Sequence, residues 1–198
     1  MMQDLGKYRR RSIRLKKHDY SQVGGYFITI CTHNWICLLD DIINEKMQVN
    51  DYGKIVIECW NDIPKHFRDI QLDEFVVMPN HIHGILMILD CRGTACRAPT
   101  VERFGKPVVN SLPTIVRSFK SAITNRINKL RRTPGAAIWQ RNYYEHIIRN
   151  EYKLNKIRQY IQNNPLSWHL DRENPERVGI DILEDEIFRS KMARKANK

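Results

Sequence analysis

The sequence predicts one α+β domain, an antiparallel sheet with helices packed on one face. Runs rich in aromatic and β-branched residues predict strands near 26–33, 72–78, 81–89 and 144–148. Between them, apolar residues recur at the spacing of a helix with one buried face. The resulting order is strand, helix, strand pair, helix, strand, helix. Because this order lacks the regular alternation of a doubly wound parallel sheet, it favours an antiparallel one.

Each predicted helix has a buried stripe and a recognisable end. The first begins near Asn50 and ends or kinks at Pro64, and the second is closed by 133–135. The third is capped by Asn150 and stopped by Pro165. The stripes of the three helices are Tyr52, Ile55, Val56, Cys59, Trp60 and Ile63; Leu112, Ile115, Val116, Phe119, Ile123, Ile127 and Leu130; and Leu154, Ile157 and Ile161.

A chain of 198 residues is long enough for one well-buried core. We expect a basic arm over 1–20, a catalytic domain over 21–170 with a loop excursion at 90–108, and a C-terminal tail over 171–198 that either docks on the body or stays mobile.

The five cysteines form neither a zinc pattern nor a disulfide framework. No apolar run approaches the roughly 18 residues of a membrane span, and the first residues lack a signal-peptide core, so we expect a cytoplasmic protein.

The charge of the chain favours a polyanionic partner, with nucleic acid first. Lysine and arginine number 33 against 22 acids, which gives a formal charge of +11. Contacts to phosphate are predicted for the arm and the second helix, although a charge run is also typical of a solvated surface. The predicted DNA-binding residues are Arg9, Arg10, Arg11, Arg14, Lys16, Lys17, Arg117 and Lys120. Tyr8 and Tyr20 are candidates for base stacking.

His81 and His83 are candidate metal ligands. They are separated by one residue on a predicted strand, so both side chains face the same way while Ile82 is buried. The alternative is a pair of hydrogen-bonded histidines with no ligand. Two histidines with open positions fit a catalytic cation such as Mg²⁺ or Mn²⁺ about as well as zinc. His33, at the end of the first strand, is either near this site or structural.

Tyr160 and Asn164 lie four residues apart on the third helix and therefore project from one side of it. A phenol beside a metal can act as a covalent nucleophile, and an amide oxygen can complete the coordination of a hard cation. By itself, a tyrosine at the edge of the stripe is more often a core-packing residue than a catalytic one. Asn164 has the alternative role of ending the helix before Pro165.

Three segments together resemble one family: Pro79-Asn80-His81-Ile82-His83-Gly84, residues 139–150, and Tyr160 to Pro165. They resemble the single-tyrosine transposases of the His-hydrophobic-His (HUH) superfamily, closest to the branch associated with repetitive extragenic palindromes (REP) and related to compact insertion-sequence transposases. The likeness spans roughly 8–170. It implies a ferredoxin-like or RRM-like sheet and an enzyme that nicks and joins single-stranded DNA bearing palindromic hairpins.

The resemblance also implies roles for single residues. His81 and His83 would bind the divalent cation, Mg²⁺ or Mn²⁺, and Tyr160 would form a 5′-phosphotyrosine. Insertion-sequence relatives carry glutamine where this chain has Asn164, which would be a shorter third ligand. Tyr143, Tyr144 and Tyr152 are rival nucleophiles, and Glu145 and His146 receive no step. Two other functions remain open, a hairpin-DNA-binding protein without catalysis and a water-using metal-dependent nuclease, as does a homodimer with shared sites.

Overall fold

The computed structural model describes residues 18–43, 46–90, 108 and 110–188; for residues 40–43, 46 and 47 it describes the backbone only. Most of the predicted basic arm and of the predicted loop 90–108 therefore lies outside the described residues. The elements are β1 (Gly24–Cys31), β2 (Asp40–Ile43), β3 (Lys46–Val49), α1 (Asp51–Asn61), α2 (Ile63–His66), β4 (Ile70–Val77), β5 (His81–Ile88), α3 (Leu112–Arg131), β6 (Tyr144–Ile148), α4 (Glu151–Asn163) and α5 (Ile182–Phe188). None of the described helices is both long and apolar enough to span a membrane.

The main sheet has four strands in the order β4-β5-β1-β6, and each neighbouring pair is antiparallel. β2 and β3 form a separate hairpin that the sequence did not predict. The frame β1-α1-β4-β5-α3-β6 is the ferredoxin-like succession of strands and helices that the resemblance implied. The predicted α+β class with an antiparallel sheet is confirmed.

Helices cover both faces of the sheet, so the prediction that they lie on one face is wrong. Residues of α1 and α3 pack in one apolar cluster with Ile28, Ile82 and Leu86. Residues of α4 and α5 pack in a second cluster with Phe27 and Ile85. The physical reason is that the central strands β1 and β5 are apolar on both sides, and an apolar face left in water would cost stability.

Gly84 brings α1 close to the middle strand. A β-carbon at this position would lie 2.7 Å from Cζ2 of Trp60 and 3.1 Å from Cδ2 of Phe75. These two rings stack on each other with centroids 4.3 Å apart. The glycine after the histidine pair therefore serves the packing of the opposite face of the sheet.

The predicted helix ends are confirmed. Oδ1 of Asn50 accepts hydrogen bonds from the amides of Tyr52 and Gly53, and Asn150 accepts from the amide of Lys153. The predicted stripe of α3 is buried up to Ile127. Leu130 is instead 55% exposed, which corrects the prediction. In this last turn of α3, which ends at Arg131, the buried side chain is Asn128, which donates to the carbonyl of Ala136.

The described part of the predicted tail, 171–188, packs on the body. Ile187 is buried in the second apolar cluster, with Leu183 and Phe188 packed against it. The domain boundaries as a whole stay a prediction.

Candidate active site

The imidazoles of His81 and His83 meet inside the protein, under α4. Both side chains leave β5 on the face opposite Ile82 and are almost fully buried. Their Nε2 atoms lie 3.0 Å apart. Two ring nitrogens can approach this closely only when a hydrogen or a cation lies between their lone pairs. Adjacent ligands of an octahedral cation with bonds of about 2.1 Å are also separated by about 3 Å.

Neighbouring polar groups orient the two rings. The Nδ2 group of Asn80 donates to the carbonyl of Glu173 at 2.7 Å, so the amide oxygen of Asn80 faces Nδ1 of His81 at 2.8 Å. Because that oxygen can only accept, Nδ1 of His81 carries the hydrogen and Nε2 presents its lone pair to the site. His83 is opposite Thr29 across β1 and β5, and Nδ1 of His83 lies 2.9 Å from the Thr29 hydroxyl.

Asp171 completes the group, and the sequence prediction missed it. Its Oδ2 lies 3.8 Å from Nε2 of His81 and 3.7 Å from Nε2 of His83, and the side chain is fully buried. The three residues form a possible metal-binding group whose ligand atoms lie within 4.8 Å of one another. The chain reaches this point through a turn after α4 and a short 3₁₀ helix, Trp168–Leu170. No local pattern distinguishes Asp171 from the acids around it, so tertiary structure alone identifies it.

Asn164, a predicted ligand, lies beside this group. Its Nδ2 donates to Oδ2 of Asp171 at 2.8 Å. Its Oδ1 is buried and has no hydrogen-bond partner among the described residues. A buried amide oxygen without a partner is costly unless a cation or another group satisfies it. The donor set of two imidazoles, a carboxylate and this oxygen therefore fits a divalent cation.

The charge states of the group suit cation binding. Burial lowers the pKa of His81 to about 3, against a smaller opposing effect of Asp171, so its imidazole is neutral at pH 7. Burial alone would raise the pKa of Asp171, but the two imidazoles and the Asn164 amide outweigh it and hold this carboxyl below its ordinary pKa. The site thus presents a neutral His81 and an ionised carboxylate.

Tyr160 reaches the same group from α4. Its hydroxyl lies 3.2 Å from Nε2 of His83, within one chain. Burial, reinforced by the charge of Asp171, raises the pKa of this phenol well above its ordinary value. The side chain is only 3% exposed, because Phe27 and Phe188 pack edge-on against its ring. Trp168 is stacked on His81 with ring centroids 5.9 Å apart and an angle of 28° between the ring planes.

The rival tyrosines have other surroundings. Tyr144 packs against Phe27 and Phe188, and burial raises the pKa of its phenol. Tyr152 is 60% exposed and donates to Glu186. Tyr143 is half-buried and packs against the first apolar cluster. His33 is exposed, outside the His-His-Asp group.

Of the predicted DNA-binding residues, the structure describes Arg117 and Lys120, and both lie on α3. Residues Arg9 to Lys17, and Tyr8, lie outside the described residues. Arg117 is exposed on α3, which packs on the other face of the sheet. The Lys120 ammonium instead donates to the carbonyls of Gln140 and Arg141, at 2.5 and 3.3 Å, and burial lowers its pKa to about 8. Tyr20 is 3% exposed and packs against His18 and Tyr26, so its ring is not available for stacking on a base.

Comparison with known proteins places the fold and the family. No family model matches the chain. An uncharacterized protein from Haemophilus influenzae Rd is 45% identical over 173 residues, which cover 85% of this chain and 95% of that protein. Among solved structures, a REP-associated tyrosine transposase bound to a REP hairpin is similar with a TM-score of 0.54 and 17% identity, over 79% of this chain and 74% of that one. The chain therefore belongs to the same protein family as the Haemophilus influenzae protein, and its fold is that of the tyrosine transposases.

Proposed function

We propose that this protein is a metal-dependent transposase that nicks and rejoins single-stranded DNA bearing hairpins, with Tyr160 as the nucleophile. The observation that carries the proposal is the position of the Tyr160 hydroxyl, 3.2 Å from Nε2 of His83 in a buried His-His-Asp group. The pKa values of His81, Tyr160 and Asp171 are all shifted, and buried groups with shifted pKa values cluster at catalytic sites.

His81, His83, Asp171 and the free oxygen of Asn164 would hold the cation, Mg²⁺ or Mn²⁺. When bound, the cation would polarise the oxygens of the scissile phosphate and help to release the 3′ oxygen. Asn80 and Thr29 orient the two rings through Nδ1, as residues around a metal site commonly do for histidine ligands. Asn164 would then ligate the cation through Oδ1, while its Nδ2 holds Asp171 in place.

Tyr160 would attack the phosphorus. The bond from phosphorus to the phenol oxygen forms and the bond to the 3′ oxygen breaks. The 3′ oxygen takes up a proton, so a 5′-phosphotyrosine and a 3′-hydroxyl result. Because burial keeps the phenol protonated at neutral pH, its proton must pass to a neighbouring base as the bond forms. The covalent link keeps the bond energy, so a second 3′-hydroxyl can reverse the attack and join strands.

The proposed substrate rests on charge and on fold. A formal charge of +11 favours a polyanion, and the solved relative in fold binds a REP hairpin. We assign the basic arm, Arg9 to Lys17, and Arg117 to backbone contacts. Lys120 is no longer part of this proposal, because its ammonium is held by two main-chain carbonyls.

DNA can reach the phenol only if Trp168 and α5, which cover the site, move while Asp171 stays in the metal-binding group. Trp168 stacks on His81 and Phe188 packs against Tyr160, so that the tyrosine is only 3% exposed. The polar contacts between α4 and α5 are exposed, such as Tyr152 to Glu186 at 3.2 Å, and contribute little stability. Opening is therefore opposed mainly by the apolar contacts of α5.

The test is covalent capture of DNA. Full-length protein is incubated with a single-stranded hairpin oligonucleotide from the region around its own gene, with Mg²⁺, with Mn²⁺ or with EDTA, and is resolved on a denaturing gel. We expect a protein-DNA adduct only with the metal, and peptide mapping should place it on Tyr160. Tyr160→Phe should abolish the adduct but bind the hairpin normally, whereas Tyr152→Phe, a matched change on the same helix, should keep the adduct.

Other results would identify the other candidates. Cleavage that persists in Tyr160→Phe without any adduct would indicate a nuclease in which water attacks. Hairpin binding by the wild-type protein with no cleavage under any metal would indicate a DNA-binding protein of the same fold. His81→Ala and Asp171→Ala should both lose cleavage; retention of full activity in either would contradict the proposed metal site.

Tyrosine and histidines meet within one chain, so we propose that a single subunit holds a complete site. The homodimer stays a prediction, to be checked by the oligomeric state in solution with and without hairpin DNA.

A further inference from the structure

A short loop after β1 exposes two adjacent apolar side chains, Trp35 and Ile36. Residues 33–37, here called the Trp35 loop, are all exposed. Trp35 is 45% and Ile36 57% exposed, and they are two neighbouring members of the set of exposed large hydrophobic side chains among the described residues. Isolated exposed hydrophobic residues are ordinary, but an adjacent tryptophan and isoleucine beside a buried polar site suggest a binding surface.

The indole of Trp35 is fixed in place although it is exposed. Its Nε1 donates to Oε2 of Glu173 at 2.7 Å. Its amide donates to the carbonyl of Thr32, and the Thr32 hydroxyl donates to the carbonyl of Ile36 at 2.8 Å. Asn34 and Trp35 both have positive φ, 55° and 54°, a conformation that asparagine tolerates but that is unfavourable for a bulky residue such as tryptophan. The surrounding hydrogen bonds therefore hold Trp35 in a strained backbone conformation.

The loop is attached to the candidate active site. The side-chain amide of Asn80 donates to the carbonyl of Trp35 at 3.3 Å, and the same amide orients His81. Glu173, which holds the indole, lies two residues after Asp171, and its amide donates to Oδ1 of Asp171 at 2.6 Å. Two hydrogen-bonded links therefore join the loop to the metal-binding group, one through Asn80 and one through Glu173.

Since the only polar atom of the indole is already bonded within the protein, the exposed part of Trp35 is an aromatic surface. Such a surface cannot distinguish bases by hydrogen bonds, but any base can stack on it. Duplex bases are already stacked on one another, whereas unpaired bases have free faces. The chemistry of the loop therefore matches an unpaired base better than a paired one.

We infer that Trp35 stacks on an unpaired base of the DNA strand whose phosphate enters the active site, with Ile36 in apolar contact beside it. This inference rests on the proposed function. It assigns Trp35 the task of positioning a flexible single strand next to the nucleophile, independently of the contacts that the basic residues make to phosphates.

The test measures binding in EDTA, so that cleavage plays no part. The probe is a hairpin oligonucleotide with a single-stranded extension that carries 2-aminopurine at successive positions. Trp35→Ala should weaken binding by about 5- to 150-fold, the range for loss of one stacked base. Trp35→Phe should recover most of the affinity. In the wild-type protein the 2-aminopurine fluorescence should be quenched at one or two adjacent positions, and Trp35→Ala should remove this quenching.

Controls separate this inference from the proposed function. Tyr152→Ala removes another exposed aromatic ring and should bind like the wild-type protein. A blunt hairpin without an unpaired extension should bind Trp35→Ala as well as it binds the wild-type protein.

If the wild-type protein binds the probe but Trp35→Ala binds equally well, the inference is wrong and the proposed function stands. If the wild-type protein binds no single-stranded hairpin DNA at all, the proposed function fails as well. A loss of self-association in Trp35→Ala with unchanged DNA affinity would instead assign the loop to a protein interface.

Discussion

Replacement of Asn80 by alanine should both destabilise the protein and weaken its binding of a divalent cation. The Asn80 side chain is fully buried and makes three hydrogen bonds, to Nδ1 of His81 and to the carbonyls of Glu173 and Trp35. At about 1 kcal/mol for each bond, Asn80→Ala should cost roughly 2–4 kcal/mol of folding free energy. For a domain of this size that corresponds to a decrease in Tm of about 4–16 °C.

The expected effect on the metal has a separate cause. Without an acceptor beside Nδ1, the hydrogen of the His81 ring can also lie on Nε2. In that tautomer Nε2 has no lone pair with which to bind the cation. Loss of such an orienting group commonly costs about 10- to 100-fold in metal affinity. Isothermal titration with Mn²⁺ measures this directly, at a temperature where the variant is folded by circular dichroism.

Asn80→Asp distinguishes the two effects. Aspartate can still accept from Nδ1 of His81 but cannot donate to the two carbonyls, so this variant should be destabilised while it keeps most of the affinity for Mn²⁺. Wild-type Mn²⁺ affinity in Asn80→Ala would refute the argument about the orientation of His81. Equal losses of affinity in the alanine and aspartate variants would show that folding, and not the position of the ring hydrogen, is what Asn80 controls.

Two further predictions concern packing and pH. Gly84→Ala should cost about 1–3 kcal/mol in urea unfolding, because the new methyl group would overlap the Trp60 ring. Gly25→Ala, where the nearest atom is the flexible Met87 sulphur at 3.0 Å, should cost less; equal losses would argue against the ring contact as the cause. For Glu184, burial raises the pKa to about 7 from the ordinary 4.5. The folded protein then binds the proton more tightly than the unfolded chain does, so the stability from this group is present below about pH 4.5 and is lost as the pH rises through 7. Glu184→Gln should therefore reduce the fall in Tm between pH 5 and pH 8, and an unchanged pH dependence would contradict the assigned shift.

Much of the candidate site was predictable because it depends on local periodicity. The alternation of strand side chains placed His81 and His83 on one face, and the helical repeat placed Tyr160 one turn from Asn164. The capping roles of Asn50 and Asn150 follow from the same kind of local rule, since a cap depends only on the next few residues. The resemblance to a known family added the expectation that these two pieces of chain meet.

Sequence periodicity could not predict contacts set by the path of the chain. Asp171 reaches the imidazoles only because the turn after α4 folds back over the sheet. The residues next to Asp171 in the sequence do not predict this turn. The same is true of Lys120, whose charge indicated a DNA contact but whose ammonium bonds to carbonyls about twenty residues away. The sequence shows that a side chain is charged but does not show which of several possible groups it contacts in the folded protein.

The amino-acid order alone therefore determined which residues point the same way: a histidine pair, a tyrosine with an asparagine, and the apolar stripes that build the core. Tertiary structure decided what those residues face. It brought Asp171 to the pair, covered Tyr160 with α5 and put helices on both sides of the sheet, because the direction of a side chain follows from the geometry of one element, whereas its neighbours depend on how all elements pack to bury apolar surface.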